Sequence, residues 1–97
     1  MLYLVNKSPL MFGNLESVLR IAQPGEPILL YEDGVFAAAR DAKSEALVQR
    51  ALAAHAVYAL DADLAARGLV ALIEGIQVVS YDGFVELVEK HQVAPWL

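Results

Sequence analysis

Ile28-Leu29-Leu30-Tyr31-Glu32-Asp33-Gly34-Val35-Phe36-Ala37-Ala38-Ala39 is the stretch whose reading decides the fold. An unbroken apolar run stops at a Glu-Asp-Gly step and gives way to an alanine-rich run. Alternation disappears when neither face of a strand meets water, so such a run suits a parallel strand covered by helices on both sides. The reading is a strand over 28–31, a tight turn, and a short helix around Val35–Ala39. Asp33 is placed to cap that helix with its carboxylate, and Gly34 lets the backbone turn sharply. In open α/β sheets the carboxyl edge beyond such a strand is where ligands bind.

Upstream, Leu2-Tyr3-Leu4-Val5 reads as the first strand. Asn6-Lys7-Ser8-Pro9 breaks it, because Pro9 disfavours helix at Ser8. A helix is expected from near Asn14, a good capping residue, with Leu15, Val18, Leu19 and Ala22 on one face and Glu16 in its first turn. Gln23-Pro24-Gly25 ends it.

Downstream, Ser44 is the expected cap of a helix running to about Ala54, with Val48, Ala51 and Leu52 as its inner stripe. Residues 56–60 read as the third strand. Asp61 is placed to cap a brief helix that Gly68 stops. Residues 69–75 fit either a loop or a helical turn. Ile76-Gln77-Val78-Val79 reads as the fourth strand. Ser80 or Asp82 caps the last helix, with Phe84, Leu87, Val88 and His91 on one side. Pro95 prevents that helix from continuing, and the tail reads as a short edge strand.

This alternation predicts an α/β fold, a three-layer α/β/α arrangement around a mostly parallel four- to five-stranded sheet. The first strand is expected in its interior. Residues 1–97 are expected to form a single domain.

The chain is 58 % hydrophobic, above the roughly 45–50 % usual for soluble domains. Apolar surface in excess of what one core hides favours an oligomer. Net charge is −5, with seven Lys and Arg spread along the chain. That pattern makes no basic patch, so direct nucleic-acid binding is not expected. There is no cysteine, which excludes a disulfide, a thiolate metal site and a thiol nucleophile. No leader pattern and no apolar run near about 18 residues is present, so no membrane segment is expected and the cytoplasm is the expected compartment.

The loops after the strands bring Asn6, Lys7 and Ser8 to one edge with Glu32, Asp33 and Gly34, and with Asp61, Asp63 and Asp82. An acidic edge of this kind resembles the metal-binding edge of phosphoacceptor domains. Helix capping is the stronger account of Asp33, Asp61 and Asp82, and no metal site is expected. Lys7-Ser8 is a conceivable nucleophile pair, but sequence neighbours on an extended loop point apart and no oxyanion device accompanies them. His55 and His91 lack a partner at metal-ligand spacing and read as structural or interface residues. The glycines form no phosphate loop. No cofactor is expected. Trp96 and Leu97, large apolar residues in the tail, fit packing on the chain itself or on a neighbouring subunit.

Several stretches together resemble the DsrH/TusB family. They are Met1-Leu2-Tyr3-Leu4-Val5-Asn6-Lys7-Ser8-Pro9, Asn14-Leu15-Glu16-Ser17 with Leu19, Leu29 through Ala38, Asp63-Leu64 with Ala66-Arg67-Gly68, Tyr81 through Leu87, and the ending with Trp96. They run nearly end to end in order and spacing. The resemblance implies a DsrEFH-like fold and a small subunit of a cytosolic sulfur-relay complex. Its partners would be DsrE/TusD-like and DsrF/TusC-like subunits of the same fold, in a heterohexamer with two copies of each. It implies persulfide relay towards tRNA wobble-uridine thiolation in one branch, or sulfur oxidation in the other, with the main sulfur-carrying cysteine on the DsrE/TusD subunit. Sulfur-oxidiser members carry a cysteine in helix one where this chain has Val18, so a relay step at that position is absent here. The role that follows is non-catalytic, with Leu15 and Leu19 of helix one and Trp96 and Leu97 of the tail as interface candidates. A homodimer is expected as an option when the chain is isolated. The competing reading is a self-associating α/β module that binds a small ligand or anion at the Lys7/Asp33 edge.

Overall fold

The computed structural model describes residues 1–97. Its strands are β1 (Leu2–Val5), β2 (Ile28–Leu30), β3 (Val57–Leu60), β4 (Gln77–Val79) and β5 (Val93–Trp96). They form one sheet in the order β4-β3-β2-β1-β5, with every neighbouring pair parallel. Its helices are α1 (Asn14–Ile21), α2 (Glu45–Ala54), α3 (Asp61–Ala66) and α4 (Tyr81–Lys90), with a 3-10 helix over Glu32–Ala38. The α/β class and the parallel sheet expected from the sequence are therefore present, and β1 is interior.

The strand order dictates where the helices lie. The steps from β1 to β4 all run in one direction, and right-handed crossovers put their connections on one face. The step from β4 to β5 returns past β1 to the opposite edge, so α4 covers the other face. The side chains agree. Tyr3, Val5, Ile28, Leu30, Val57 and Ala59 pack against Leu15 and Val18 of α1, Val35 of the 3-10 helix, Val48 and Ala51 of α2, and Leu64 of α3. Leu2, Leu4 and Leu29 point the opposite way and meet Phe84, Leu87 and Val88 of α4. Burying each such Leu or Val contributes about 1.5–3 kcal/mol, a large share of a typical domain's net stability. One face is closed by several elements and the other by α4 alone, none of whose residues is fully buried.

Several sequence expectations shift at the element ends. Tyr31, Ala56 and Ile76 lie just outside their strands, and the 3-10 helix begins at Glu32 rather than near Val35. Neither Asp33 nor Asp61 caps a helix, because each lies inside one, and the residues that precede these helices, Tyr31 and Leu60, make no side-chain cap bond. Asn14 is the first residue of α1, and its amide nitrogen donates instead to the Trp96 carbonyl at 3.1 Å. Ser44 precedes α2 with φ −84° and ψ 2°, outside the extended region from which a side chain reaches back to cap. Ser80 is extended and does cap, accepting from the Gly83 N–H at 3.2 Å, so Asp82 is not the cap of α4. His91 follows α4 rather than sharing its face. Residues 69–75 form a loop pinned by an antiparallel bridge between Ala39 and Leu72. The tail does form an edge strand, parallel to β1.

Gly34 fixes the turn after β2. A Cβ there would collide with the Val5 carbonyl, lying 2.9 Å from its carbon and 3.3 Å from the Asn6 Cα. The 3-10 helix thus rests directly on the end of β1, closer than any side chain permits. At the opposite, amino edge, Glu26 ties three segments together. Its Oε1 accepts from the Tyr3 hydroxyl at 3.1 Å and the Gln23 N–H at 2.7 Å, and its Oε2 lies 3.2 Å from the Met1 α-amino group. The Glu26 carbonyl accepts from Nδ1–H of buried His55 at 2.7 Å. The bond from the Gln23 amide, above all, lowers the Glu26 carboxyl below its ordinary 4.5. Burial, then the Glu26 hydrogen bond and charge, raise the Tyr3 hydroxyl above 10.0, which keeps it a donor.

Two outcomes are expected. Gly34→Ala lowers stability by about 3 kcal/mol, because the clash is with backbone and not with a flexible side chain; urea unfolding with a loss under about 1 kcal/mol would refute the close approach. A depressed folded pKa at Glu26 stabilises above the unfolded value, and that contribution fades as pH falls below 4.5 through the lower folded value. The urea midpoint should therefore fall between about pH 6 and about pH 3, and fall less steeply in Glu26→Gln.

Candidate functional site

The carboxyl ends of β1 and β2 open onto a cavity of about 470 Å3. Asn6, Lys7, Ser8, Glu32 and Asp33, all expected at this edge, line it together. Gly34 lies buried beneath, against β1. Three further residues line the cavity: Met11, Phe12 and Arg67. The run Leu10-Met11-Phe12 between Pro9 and Gly13 was the signal available for the first two, since three large apolar residues in a loop have no core to enter. They are exposed here, Met11 most of all at 79 %. Arg67 carried no such signal, because its partner Asp33 is distant in sequence.

Arg67 organises the acidic side of the site. Its Nε and Nη2 donate to Asp33 Oδ1 at 3.0 and 2.8 Å, and its Nη1 donates to the Asp63 carbonyl at 3.2 Å. Its guanidinium also lies 5.9 Å from the Phe36 ring centre, a cation–π distance. Asp63 in turn accepts from the Glu32 N–H at 2.7 Å. That bond supports Glu32 in the left-handed region, with φ 47°, where a residue with a Cβ is strained. The acidic edge is thus a bracket between the 3-10 helix and α3. No group of three or more His, Asp or Glu residues converges as a metal ion would require. Asp61 and Asp82 lie outside the cavity.

Lys7 and Ser8 do not act on each other. Ser8 is buried, and its Oγ accepts from the Leu10 N–H at 3.2 Å while its carbonyl accepts from the Met11 and Phe12 N–H groups. These bonds build the turn. Lys7 Nζ lies 5.3 Å from the Phe12 ring centre and has no carboxylate in ion-pair contact. The cavity therefore holds one unpaired cation over an aromatic ring, an apolar lip, and a carboxylate–guanidinium bracket. Asn6 adds a buried Oδ1 without a partner.

The helix-one and tail candidates separate. Leu15 is 2 % exposed and belongs to the core, so it offers no surface to a partner. Leu19 is partly buried against the same core. Trp96 packs edge-on against Tyr3, ring centres 5.8 Å apart. Leu97 is 76 % exposed. Val18 is fully buried against the sheet. His55 holds the loop before β2 through the Glu26 carbonyl.

The model of the family described as DsrH like protein matches residues 7–94. The chain is 40 % identical over 92 residues to Protein TusB of Cronobacter sakazakii (strain ATCC BAA-894), covering 94 % of each. It is 40 % identical over 94 residues to Protein TusB of Serratia proteamaculans (strain 568), covering 95 % of each. Its fold is similar to the protein of unknown function MTH1491 from Methanobacterium thermoautotrophicum, with TM-score 0.69 and 20 % identity over 97 % of this chain and 96 % of that one. Protein Tm0979 from Thermotoga maritima gives TM-score 0.63 and 24 % identity over 95 % of each chain.

Arg67→Met keeps the packed stem but removes both acidic contacts, and should lower stability by about 1 kcal/mol, since Asp33 is largely solvent-exposed. Adding Asp33→Asn to that variant should cost little more. Additive losses in this double-mutant cycle would mean that the bracket carries no coupling.

Proposed function

The chain belongs to the family of DsrH like proteins, and from that membership we propose that it is a non-catalytic subunit of a cytoplasmic sulfur-relay complex. The relay moves persulfide sulfur, and the TusB name of its relatives favours delivery to the tRNA wobble uridine over sulfur oxidation. The absence of cysteine carries the reading. Persulfide transfer needs a thiolate as acceptor and nucleophile, so this subunit cannot carry the sulfur. The DsrE/TusD-like partner supplies the cysteine, and this chain supplies surface to it and to the DsrF/TusC-like partner in a heterohexamer.

The position of Val18 supports the division of labour. It is buried in the core, where even a thiol would be withheld from a partner's persulfide. A group of the exposed apolar residues that a permanent subunit needs lies at the carboxyl edge. Leu10, Met11 and Phe12 follow β1, and Leu97 follows the neighbouring β5. The bond from Asn14 to the Trp96 carbonyl fastens these two segments side by side. The acidic surface charge suits contact with protein partners rather than with tRNA itself.

Co-expression with the DsrE/TusD-like and DsrF/TusC-like proteins, followed by native mass measurement, should return a complex holding two copies of each chain. Met11→Glu combined with Phe12→Glu should leave the isolated fold intact and abolish that assembly. A stable homo-oligomer that ignores both partners would replace the relay reading with an independent binding module.

A further inference from the structure

The cavity at the carboxyl edge lies where the connections of the sheet reverse. From β1 the chain leads away to β2 on one side, while β5 arrives on the other. In open parallel sheets, a crevice beyond the strand ends at such a reversal is where small ligands bind. The loop after β1 supplies Asn6, Lys7, Ser8, Met11 and Phe12 to its wall. We propose that this cavity binds a free α-amino acid with an apolar side chain, a role beyond subunit assembly.

The charges of the wall decide the ligand. Its ionised side chains are Lys7, Glu32, Asp33 and Arg67. Asp33 and Arg67 neutralise each other through bonds of 2.8 and 3.0 Å. Lys7 and Glu32 are left over. Neither is in an ion pair, and they do not pair with each other across the space they share. The Glu32 carboxylate has one hydrogen bond, a long one of 3.4 Å from the Asn6 amide nitrogen. Both groups are nonetheless held in place. Asp63 accepts the Glu32 N–H at 2.7 Å, and Lys7 Nζ stands 5.3 Å from the Phe12 ring centre.

One free cation and one free carboxylate in the same cavity disfavour a simple ion, since either sign meets its like. A zwitterion answers both. Its carboxylate turns to Lys7 Nζ and its ammonium to Glu32, each contact charge-assisted. An α-amino acid carries those two groups on a single carbon, as a small cavity requires. The volume of about 470 Å3 falls in the lower part of the range for ligand sites, roughly 300–1,000 Å3. Met11 and Phe12 form an exposed apolar lip with no core to join. An apolar side chain on the ligand covers that lip, and a thioether has favourable contacts with the ring. The same two residues belong to the surface proposed for partner subunits, so assembly would close the cavity over its ligand.

The test uses the isolated full-length 15N-labelled chain, so it stands or falls apart from the relay assembly. Its amide resonances are followed while L-methionine, L-leucine or L-phenylalanine is added at constant ionic strength. Saturable shifts confined to residues 6–12 and 32–34 are expected with at least one of the three. N-acetyl-L-methionine lacks the ammonium and L-methioninamide lacks the carboxylate, and each should bind at least about tenfold more weakly than L-methionine. Lys7→Gln and Glu32→Gln should each weaken binding about tenfold, with amide spectra showing the fold intact. Shifts that stay linear to about 50 mM for all three amino acids would overturn the site. So would equal binding of the two blocked derivatives, or affinity unchanged in both variants.

Discussion

The contact between Gly34 and the end of β1 is the constraint on which the rest of the carboxyl edge depends. The Val5 carbonyl accepts the Tyr31 N–H at 3.1 Å, and the Gly34 backbone lies against that same carbonyl. Only a residue without a Cβ permits this approach. It seats the 3-10 helix on the sheet, which drives Val35, Ala37 and Ala38 into the core. It also brings Glu32 and Asp33 beside Asn6 and Lys7, and within reach of Arg67 and Asp63 from α3. Core and site are consequences of one approach distance.

The fold was legible because its strongest signals are long and apolar. Ile28–Leu30 has no polar residue and is buried on both faces, as an interior parallel strand requires. Val18 and Leu15 fall where helical spacing puts them, in the core. Capping was legible only in part. Asp33, Asp61 and Ser44 have side chains suited to it, but capping depends on backbone angles that tertiary packing sets, and only Ser80 has them. The edge residues Asn6 to Ser8 and Glu32 to Asp33 followed from topology alone. Arg67 did not, since a pairing between distant segments leaves no local pattern. Ser8, a residue type that invites chemistry, is spent on holding a turn.

The two edges of the sheet are built for different tasks. At the amino edge Glu26 gathers the Tyr3 hydroxyl, the Gln23 amide and the Met1 amine, while its carbonyl holds His55. Nearly every polar group there has a partner. At the carboxyl edge Lys7 has no acidic partner, Met11, Phe12 and Leu97 face outward, and the Asn6 Oδ1 lacks a bond. In the proposed role, a subunit without a thiol contributes such surfaces. Unsatisfied groups concentrated at one end, opposite a largely tied one, distinguish a face meant to be covered from one that already is.

Placing β5 beside β1 also has a consequence for how the chain acquires its structure. Leu2 pairs with Val93 and Val5 with Trp96, so the first strand's outer neighbour is the last of these five strands to be made. During synthesis from the amino end, β1 can find β2 early but keeps one row of backbone donors and acceptors open until β5 emerges. Pairings of such long sequence separation are slow to form, and an open strand edge is a template for foreign strands. The nascent chain is therefore most vulnerable to association along β1, and in the proposed assembly it gains from being made beside partners that reach it promptly.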